Sequence, residues 1–172
     1  MYFVQGGIVL VLAGMVYQDF KYRGIYWWLF PLLLVLFVLE GYLNISFSDT
    51  VKAAAANVFF VLLQVLLLSG YISLKMGRLT NIFKGYLGLG DLLFLVSISF
   101  CFSFLNYVLF YLASLMLVIL LTLLFRKAKE QKIPLAGYQA LLLILLLTVG
   151  HFTKGFDLRS DISLFKLMPY GN

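Results

Sequence analysis

The sequence predicts an all-α membrane protein in which six transmembrane helices form one bundle. Of its 172 residues, 63% are hydrophobic and only 12% are charged, whereas about a quarter of the residues in a soluble domain are charged. Continuous apolar runs recur along the whole chain at lengths that suit membrane-spanning helices. Their continuity argues against a transmembrane β-barrel, whose strands alternate apolar and polar residues.

The first three spans follow from apolar runs bounded by polar or aromatic residues. No Lys or Arg precedes the first run and no small-residue cleavage site follows it, so we expect a retained span and not a signal peptide. The second opens with the aromatic residues 26–28, which suit a membrane interface, and Pro31 falls near its first turns. Ser48 or Asp49 could cap the third. These spans cover about residues 3–17, 25–39 and 51–74.

The last three spans follow a long connection. Residues 75–89 are basic and partly apolar, so this loop is expected to lie in the membrane interface. The fourth span is expected to begin at Asp91, and Asn106 and Tyr107 to turn into the fifth. Pro134 suits the first position of the sixth. These spans cover about residues 91–104, 108–125 and 134–150.

The chain therefore divides into a transmembrane domain at 1–150 and a tail at 151–172. The tail is expected outside the cytoplasm, where its apolar residues could form an amphipathic surface helix. A charged loop, 126–132, precedes the sixth span.

The basic residues predict the topology. Nine Lys and Arg lie in the loops after the first, third and fifth expected spans, and four lie on the other side. Because the more basic loops face the cytoplasm, we expect both termini outside. The inner set is Lys21, Arg23, Lys75, Arg78, Lys84, Arg126, Lys127, Lys129 and Lys132; the outer set is Lys52, Lys154, Arg159 and Lys166.

The rare residue types exclude several kinds of site. Cys101 is the only cysteine and His151 the only histidine, which excludes a disulfide framework and a zinc site built from those ligands. We expect neither a metal nor a cofactor. The net charge of +6 would point to nucleic acid in a soluble protein, but basic loops on one side of a membrane explain it without a nucleic-acid partner.

Asp19 and Asp91 are the candidate catalytic residues. Asp19 follows the first span and Asp91 begins the fourth, so both are expected at the cytoplasmic face, where a charge at the edge of the membrane is costly and often functional. Two close carboxylates share a proton, so one can accept a proton from water while the other polarises an amide. Gly88 and Gly90 are expected to allow unusual backbone conformations and close approach of a substrate chain.

Each candidate also has a structural interpretation. Asp91 could be only the N-cap of its helix, and Asp19 could pair with Lys21 or Arg23 in a solvated connection. Cys101 is expected in the apolar core. The remaining acids are expected to be solvated surface groups: Glu40, Asp49, Glu130, Asp157 and Asp161.

At these residues the chain resembles the type IV prepilin peptidases, membrane aspartyl proteases of the Gly-x-Gly-Asp class. The segment from Asp19 to Ile25 fits the spacing at the family's first catalytic aspartate, and Gly88-Leu89-Gly90-Asp91 matches the second. Ile133-Pro134 is also similar to an Ile-Pro pair before a late span of the family. The gap between the two aspartates and the six-helix layout agree as well, so the resemblance covers most of 1–150. It implies an Asp19–Asp91 dyad that removes short basic leader peptides from prepilin-like precursors at the cytoplasmic face of the inner membrane.

The chain departs from the family pattern in three ways. Tyr26 and Trp27 stand where Pro, often with Asn, follows the Ile, and Leu93 stands where a Lys is common. Nothing corresponds to the cysteine-rich cytoplasmic region of the bifunctional members. The resemblance therefore implies a short form with peptidase activity alone.

Two other classes of function remain open at this point. Gly-Leu-Gly-Asp before an apolar helix also resembles the presenilin-like and signal-peptide-peptidase-like proteases, which cut inside the bilayer and are larger. A small transporter, or an inactive relative in a secretion assembly, would keep the same fold. Transport calls for polar residues at mid-membrane, for which Asn57 and Gln64 are the candidates in the third span.

Overall fold

The structure is a computed structural model that describes residues 2–44, 47–83, 87–125, 134–152 and 157–161. In this part of the chain all regular structure is helical, with six helices. In chain order they are α1 (Tyr2–Tyr22), α2 (Leu29–Asn44), α3 (Phe47–Met76), α4 (Leu89–Ile98), α5 (Phe104–Phe125) and α6 (Leu135–Phe152).

Three of these helices contain apolar segments long enough to cross a membrane. They are Phe3–Tyr22, Phe47–Met76 and Phe104–Leu124. Their length and composition indicate a membrane-associated protein, because about 20 apolar residues are needed to cross the hydrocarbon core. α2, α4 and α6 are apolar but shorter.

The core lies between α1, α2, α4 and α6. α1 packs along α6 and α2, and α4 lies against α2, α3 and α6. α5 packs on α3 and α6 and leaves most of its long apolar side chains exposed, as a helix facing lipid does. Fully buried side chains of the core include Ile8, Leu12, Leu33, Phe37, Phe94 and Leu143.

α1 is longer than the sequence predicts. It continues to Tyr22 and ends before Arg23, whose φ of 55° lies in the left-handed region. Asp19 therefore lies in the last turns of a helix, and not in a polar segment after it. The aromatic residues 26–28 are exposed in the connection to α2, which begins at Leu29.

α3 also extends beyond the predicted limits, to Met76. Gly77 follows with a φ of 62°, and the N–H of Arg78 donates to the Ser73 carbonyl at 3.2 Å, which is the usual closure of a helix end by a left-handed glycine. The chain then folds back, and Ile82 is buried. Part of the loop expected at the interface is therefore packed against the bundle.

α4 is a short helix, and its predicted end is wrong. Its ten residues rise about 15 Å, roughly half the thickness of the hydrocarbon core. The turn lies at 99–103, so Asn106 and Tyr107 belong to α5. The buried amide of Asn57 on α3 donates to the carbonyls of Ser99 at 2.8 Å and Phe102 at 3.0 Å. Carbonyls at the end of a helix have no N–H partner within the helix, and Asn57 supplies one for each of these two.

A buried ion pair links the end of α2 to the segment 157–161. Arg159 contacts Glu40 at 3.0 Å, with 11% and 10% of the two side chains exposed. The guanidinium also donates to the Phe37 carbonyl, and Gln5 donates to Glu40. The expectation that Glu40 is solvated is therefore wrong, because the segment 157–161 brings a cation onto it.

Two predictions concern residues outside the described ones. The charged loop 126–132 and the amphipathic helix expected within 162–172 both lie there. What is described of the tail packs inward, since Leu158 is buried in the hydrophobic core.

Candidate active site

The site is built around the first turn of α6. The Pro134 carbonyl accepts the N–H of Tyr138 at 3.1 Å, so the helix starts directly after the proline. The backbone N–H groups of a first helical turn have no partner within the helix. Those of Ala136 and Gly137 instead meet side chains from two other helices.

Asp19 and Asp91 are the two side chains that accept these hydrogen bonds. The Gly137 N–H donates to Asp19 Oδ2 at 2.6 Å, and the Ala136 N–H donates to Asp91 Oδ1 at 3.0 Å. Because neighbouring amides hold them, the two oxygens lie within roughly 9 Å of each other. Their charges interact electrostatically, and the positive end of the α6 dipole favours negative charge there.

Asp91 is not the N-cap of its own helix. Gly88 occupies that position, and Asp91 is the third residue of α4. The Asp91 carboxylate also accepts a hydrogen bond from the Gly88 N–H, as the acid of a capping box does. It therefore joins the starts of α4 and α6.

Gly88 provides space for the Asp91 carboxylate and not backbone freedom. Its φ of −72° and ψ of 132° suit any residue. A Cβ added there would lie 2.6 Å from Asp91 Oδ2, whereas one added at Gly90 would meet only Phe30 Cζ, at 3.8 Å. We expected Gly88 and Gly90 to allow unusual backbone conformations. The structure shows instead that a side chain would be crowded at Gly88, and that Gly90 has no such crowding.

Gly137 is a site residue that the sequence reading missed. A Cβ at this position would lie 3.0 Å from Asp19 Oδ2 and 3.1 Å from Phe20 Cδ2. The missing side chain therefore lets the carboxylate reach the backbone of α6. The available signal was a glycine inside an apolar helix, three residues after its opening proline, where glycine commonly marks a close contact between helices.

Asp19 does not form the solvated ion pair with Lys21 that its position in the sequence suggested. Lys21 donates to the hydroxyl of Tyr17 at 2.6 Å, while Asp19 is buried against α6. The Arg23 charge acts on Asp19 electrostatically. Phe20 packs edge-on against Tyr138, with ring centroids 4.8 Å apart, which closes one side of the contact between α1 and α6.

The other candidate side chains lie elsewhere. Cys101 is buried in the core, as expected. His151 is exposed near the end of α6, about 20 Å along the helix axis from Gly137. It is therefore too far from either aspartate to exchange a proton with them directly.

The arrangement can perform acid and base chemistry. Two neighbouring carboxylates repel each other when both are ionised, which favours a state in which one is protonated and the other is not. Comparisons of the chain with family models, curated proteins and solved structures found no match. The geometry around Asp19 and Asp91 is therefore the basis for assigning a function.

Proposed function

We propose that the chain is a membrane aspartic endopeptidase that removes short basic leader peptides from prepilin-like precursors. The observation that carries the proposal is the hydrogen bonding of Asp19 and Asp91 to neighbouring amides at the start of α6. The resemblance of Gly88–Asp91 to the Gly-x-Gly-Asp motif adds the class of substrate.

The proposed reaction uses the two carboxyl groups and one water molecule. The ionised carboxylate accepts a proton from water as the water oxygen bonds to the scissile carbonyl carbon. The protonated carboxyl gives its proton to the carbonyl oxygen. When the C–N bond breaks, the first carboxyl passes the proton taken from water to the leaving nitrogen, and the second recovers its proton from the intermediate's hydroxyl. Neither a metal nor a cofactor takes part in this scheme.

The start of α6 would position the pair for this reaction. A carboxylate has about four acceptor positions, so the one amide on Asp19 and the two amides on Asp91 leave positions for water or substrate. Fixed orientation of reacting groups accounts for a large share of catalysis in general. Gly137 and Gly88 supply the room for these orientations.

The proposal includes a membrane topology. Six helices would lie in the membrane with both termini outside, and α4 would cross together with the turn at 99–103. The acid pair would then face the cytoplasm, next to the basic loops of a multi-pass inner-membrane protein. A precursor whose leader remains in the cytoplasm would present its cleavage site at that depth, beside the lipid bilayer.

A second candidate function is a non-catalytic membrane protein of a secretion assembly. The same hydrogen bonds support it, because an aspartate that accepts a first-turn N–H also stabilises a helix. The two functions differ in what they need from the side chain. Capping needs an oxygen acceptor, which asparagine keeps, whereas proteolysis needs a group that ionises.

Leader removal in cells that co-express the chain and prepilin-like precursors tests the proposal. We expect the wild type to shorten a precursor, and Asp19→Asn and Asp91→Asn to leave it intact. Asp49→Asn is the matched control, because Asp49 is an exposed acid paired with Lys52. Undiminished cleavage by either site variant would refute the dyad, and a wild type that cleaves no precursor would favour the non-catalytic function.

A further inference from the structure

A buried hydrogen bond joins α5 and α6 close to the start of α6. The side-chain amide of Gln139 donates to Ser114 Oγ at 3.0 Å, and both residues are 0% exposed. Gln139 follows Ala136 by three residues and Gly137 by two. It therefore lies within about 5 Å, along the helix axis, of the amides that hold the two aspartates. The proposed cleavage reaction uses neither side chain of this pair.

Gln139 holds α6 from the side opposite Asp19. Residues two apart in an α-helix point about 200° apart around its axis. The side of α6 at Gly137 lies against Asp19 and Phe20 of α1, so Gln139 points away from α1 and reaches α5. The first turns of α6 are thus held between α1 and α5. A rotation or a shift of α6 that changed one of these contacts would also change the other.

The hydroxyl that accepts this hydrogen bond is itself held in place. Ser114 donates to the Tyr111 carbonyl at 2.9 Å, which directs its proton away from Gln139 and leaves the oxygen to accept. The Tyr111 ring packs edge-on against Phe60 of α3, with ring centroids 5.6 Å apart. The position of the Gln139 partner is therefore fixed by the packing of α5 on α3.

Stability alone does not account for a glutamine at this position. The Oε1 atom of Gln139 is buried, and no group in the described part of the chain donates to it. A buried acceptor without a partner is unfavourable, and a leucine of similar size would fill the space without one. A hydrogen bond depends on distance and angle more sharply than an apolar contact does. The glutamine thus supplies a directional contact that leucine would lack.

We propose that Gln139 is a positioning residue. Its hydrogen bond to Ser114 fixes the height and the rotation of α6, and thereby the places of the two amides that hold Asp19 and Asp91. The catalytic consequence of this role rests on the proposed function, because the positioned carboxylates act on a substrate only if the chain is an endopeptidase. The structural consequence can be measured without any substrate.

Nuclear magnetic resonance of the full chain in detergent, labelled with ¹⁵N-glycine, measures that consequence. The Gly137 amide is identified by the signal that Gly137→Ala lacks. A short hydrogen bond to a carboxylate moves an amide proton downfield, so this signal reports the bond to Asp19. The test variants are Gln139→Leu, Ser114→Ala and the double variant.

Thr148→Val is the matched control on the same helix. The Thr148 hydroxyl is exposed and donates to the Ile144 carbonyl within α6, so this change removes a polar contact that does not join two helices. Circular dichroism checks the helix content of every variant. Ser114→Ala removes the same hydrogen bond from the α5 side, and it carries the test if Gln139→Leu does not fold.

We expect the Gly137 amide proton to move upfield in Gln139→Leu and Ser114→Ala, and to stay in place in Thr148→Val. The double variant should shift no further than Gln139→Leu, because both changes remove one hydrogen bond. In leader cleavage, kcat of Gln139→Leu should fall by about tenfold while KM stays within about twofold.

An unmoved Gly137 signal in the two single variants would overturn the positioning role. A moved signal with undiminished kcat would overturn its catalytic consequence. A wild type that cleaves no precursor would refute the proposed function instead, and the shift of the Gly137 signal would still decide whether Gln139 positions α6.

Discussion

The carboxylates of Asp19 and Asp91 accept hydrogen bonds from two consecutive backbone amides, those of Gly137 and Ala136. The acids come from α1 and α4, and the amides from the first turn of α6. Three helix ends are thereby joined at one point. Any movement of the start of α6 would change the surroundings of both carboxylates together.

Replacement of either aspartate by asparagine distinguishes a role in proton transfer from a role in capping the start of α6. Asp19→Asn and Asp91→Asn keep an oxygen that can accept the α6 amide but cannot ionise, so we expect leader cleavage to fall by about 100-fold or more. Asp19→Ala also loses the acceptor and should lower the free energy of unfolding by about 1 kcal/mol. Cleavage assays and thermal unfolding in detergent measure the two effects. Equal stability of Asp19→Asn and Asp19→Ala would show that the hydrogen bond to Gly137 contributes nothing.

The two glycines of the Gly-x-Gly-Asp motif should respond differently to alanine. In Gly88→Ala the new Cβ would lie 2.6 Å from Asp91 Oδ2, so the carboxylate must move and we expect a loss of activity of about 100-fold. Gly90→Ala meets only an ordinary contact with Phe30 and should keep near wild-type activity. Rates of leader cleavage by the two variants provide the comparison, and similar losses in both would refute the steric explanation.

Gly137→Ala tests the missed site residue. Its Cβ would press on Asp19 Oδ2 and on the ring of Phe20, so we expect Asp19 to shift and cleavage to fall roughly tenfold or more. Gly14→Ala on α1 is the control, because nothing lies within 4 Å of that Cβ position. Both variants should retain wild-type helix content by circular dichroism. Unchanged cleavage by Gly137→Ala would mean that the contact between α1 and α6 adapts without displacing Asp19.

Asn57 is expected to act in stability and not in transport. Asn57→Leu removes the donor for the carbonyls of Ser99 and Phe102 and should lower the free energy of unfolding by about 1–3 kcal/mol. Gln64→Leu, a change at the half-buried polar residue further along α3, should have a smaller effect. Unfolding midpoints in the same detergent compare the two. A larger loss of stability in Gln64→Leu than in Asn57→Leu would contradict the structural role of Asn57.

The ion pair of Arg159 and Glu40 should be sensitive to loss of one partner. Arg159→Gln leaves a buried carboxylate without its cation, which costs about 3–5 kcal/mol in buried pairs. Adding Glu40→Gln should recover part of that loss. Lys52→Gln breaks the exposed pair with Asp49 and should cost less than about 1 kcal/mol. Thermal unfolding of these variants measures the difference, and equal effects of Arg159→Gln and Lys52→Gln would contradict it.

The candidate pair could be selected from the sequence because its signals are local. Asp19 and Asp91 each lie where an apolar run meets a polar or basic segment, and an even number of expected spans separates the runs. The structure brings them to the same helix end. Gly137 carried a weaker signal, because a glycine in an apolar helix does not reveal which side chain needs its space.

Helix ends were the least predictable feature, and α4 shows why. The apolar run continues past Ile98, so composition alone extends the helix to about residue 104. The helix ends earlier, and Asn57 on another helix supplies hydrogen-bond donors for the carbonyls of Ser99 and Phe102 in the turn that follows. A polar group from elsewhere in the fold can thus satisfy carbonyls that are left without a partner where a helix ends.

The sequence by itself determined that this protein is helical and membrane-associated, since so many apolar side chains need an apolar environment. It also determined which carboxylates stand at the boundaries of the apolar runs. The tertiary structure decided what those carboxylates contact and that Arg159 neutralises Glu40. Such contacts join residues far apart in the chain, and their free energy depends on distances that only the packed helices set.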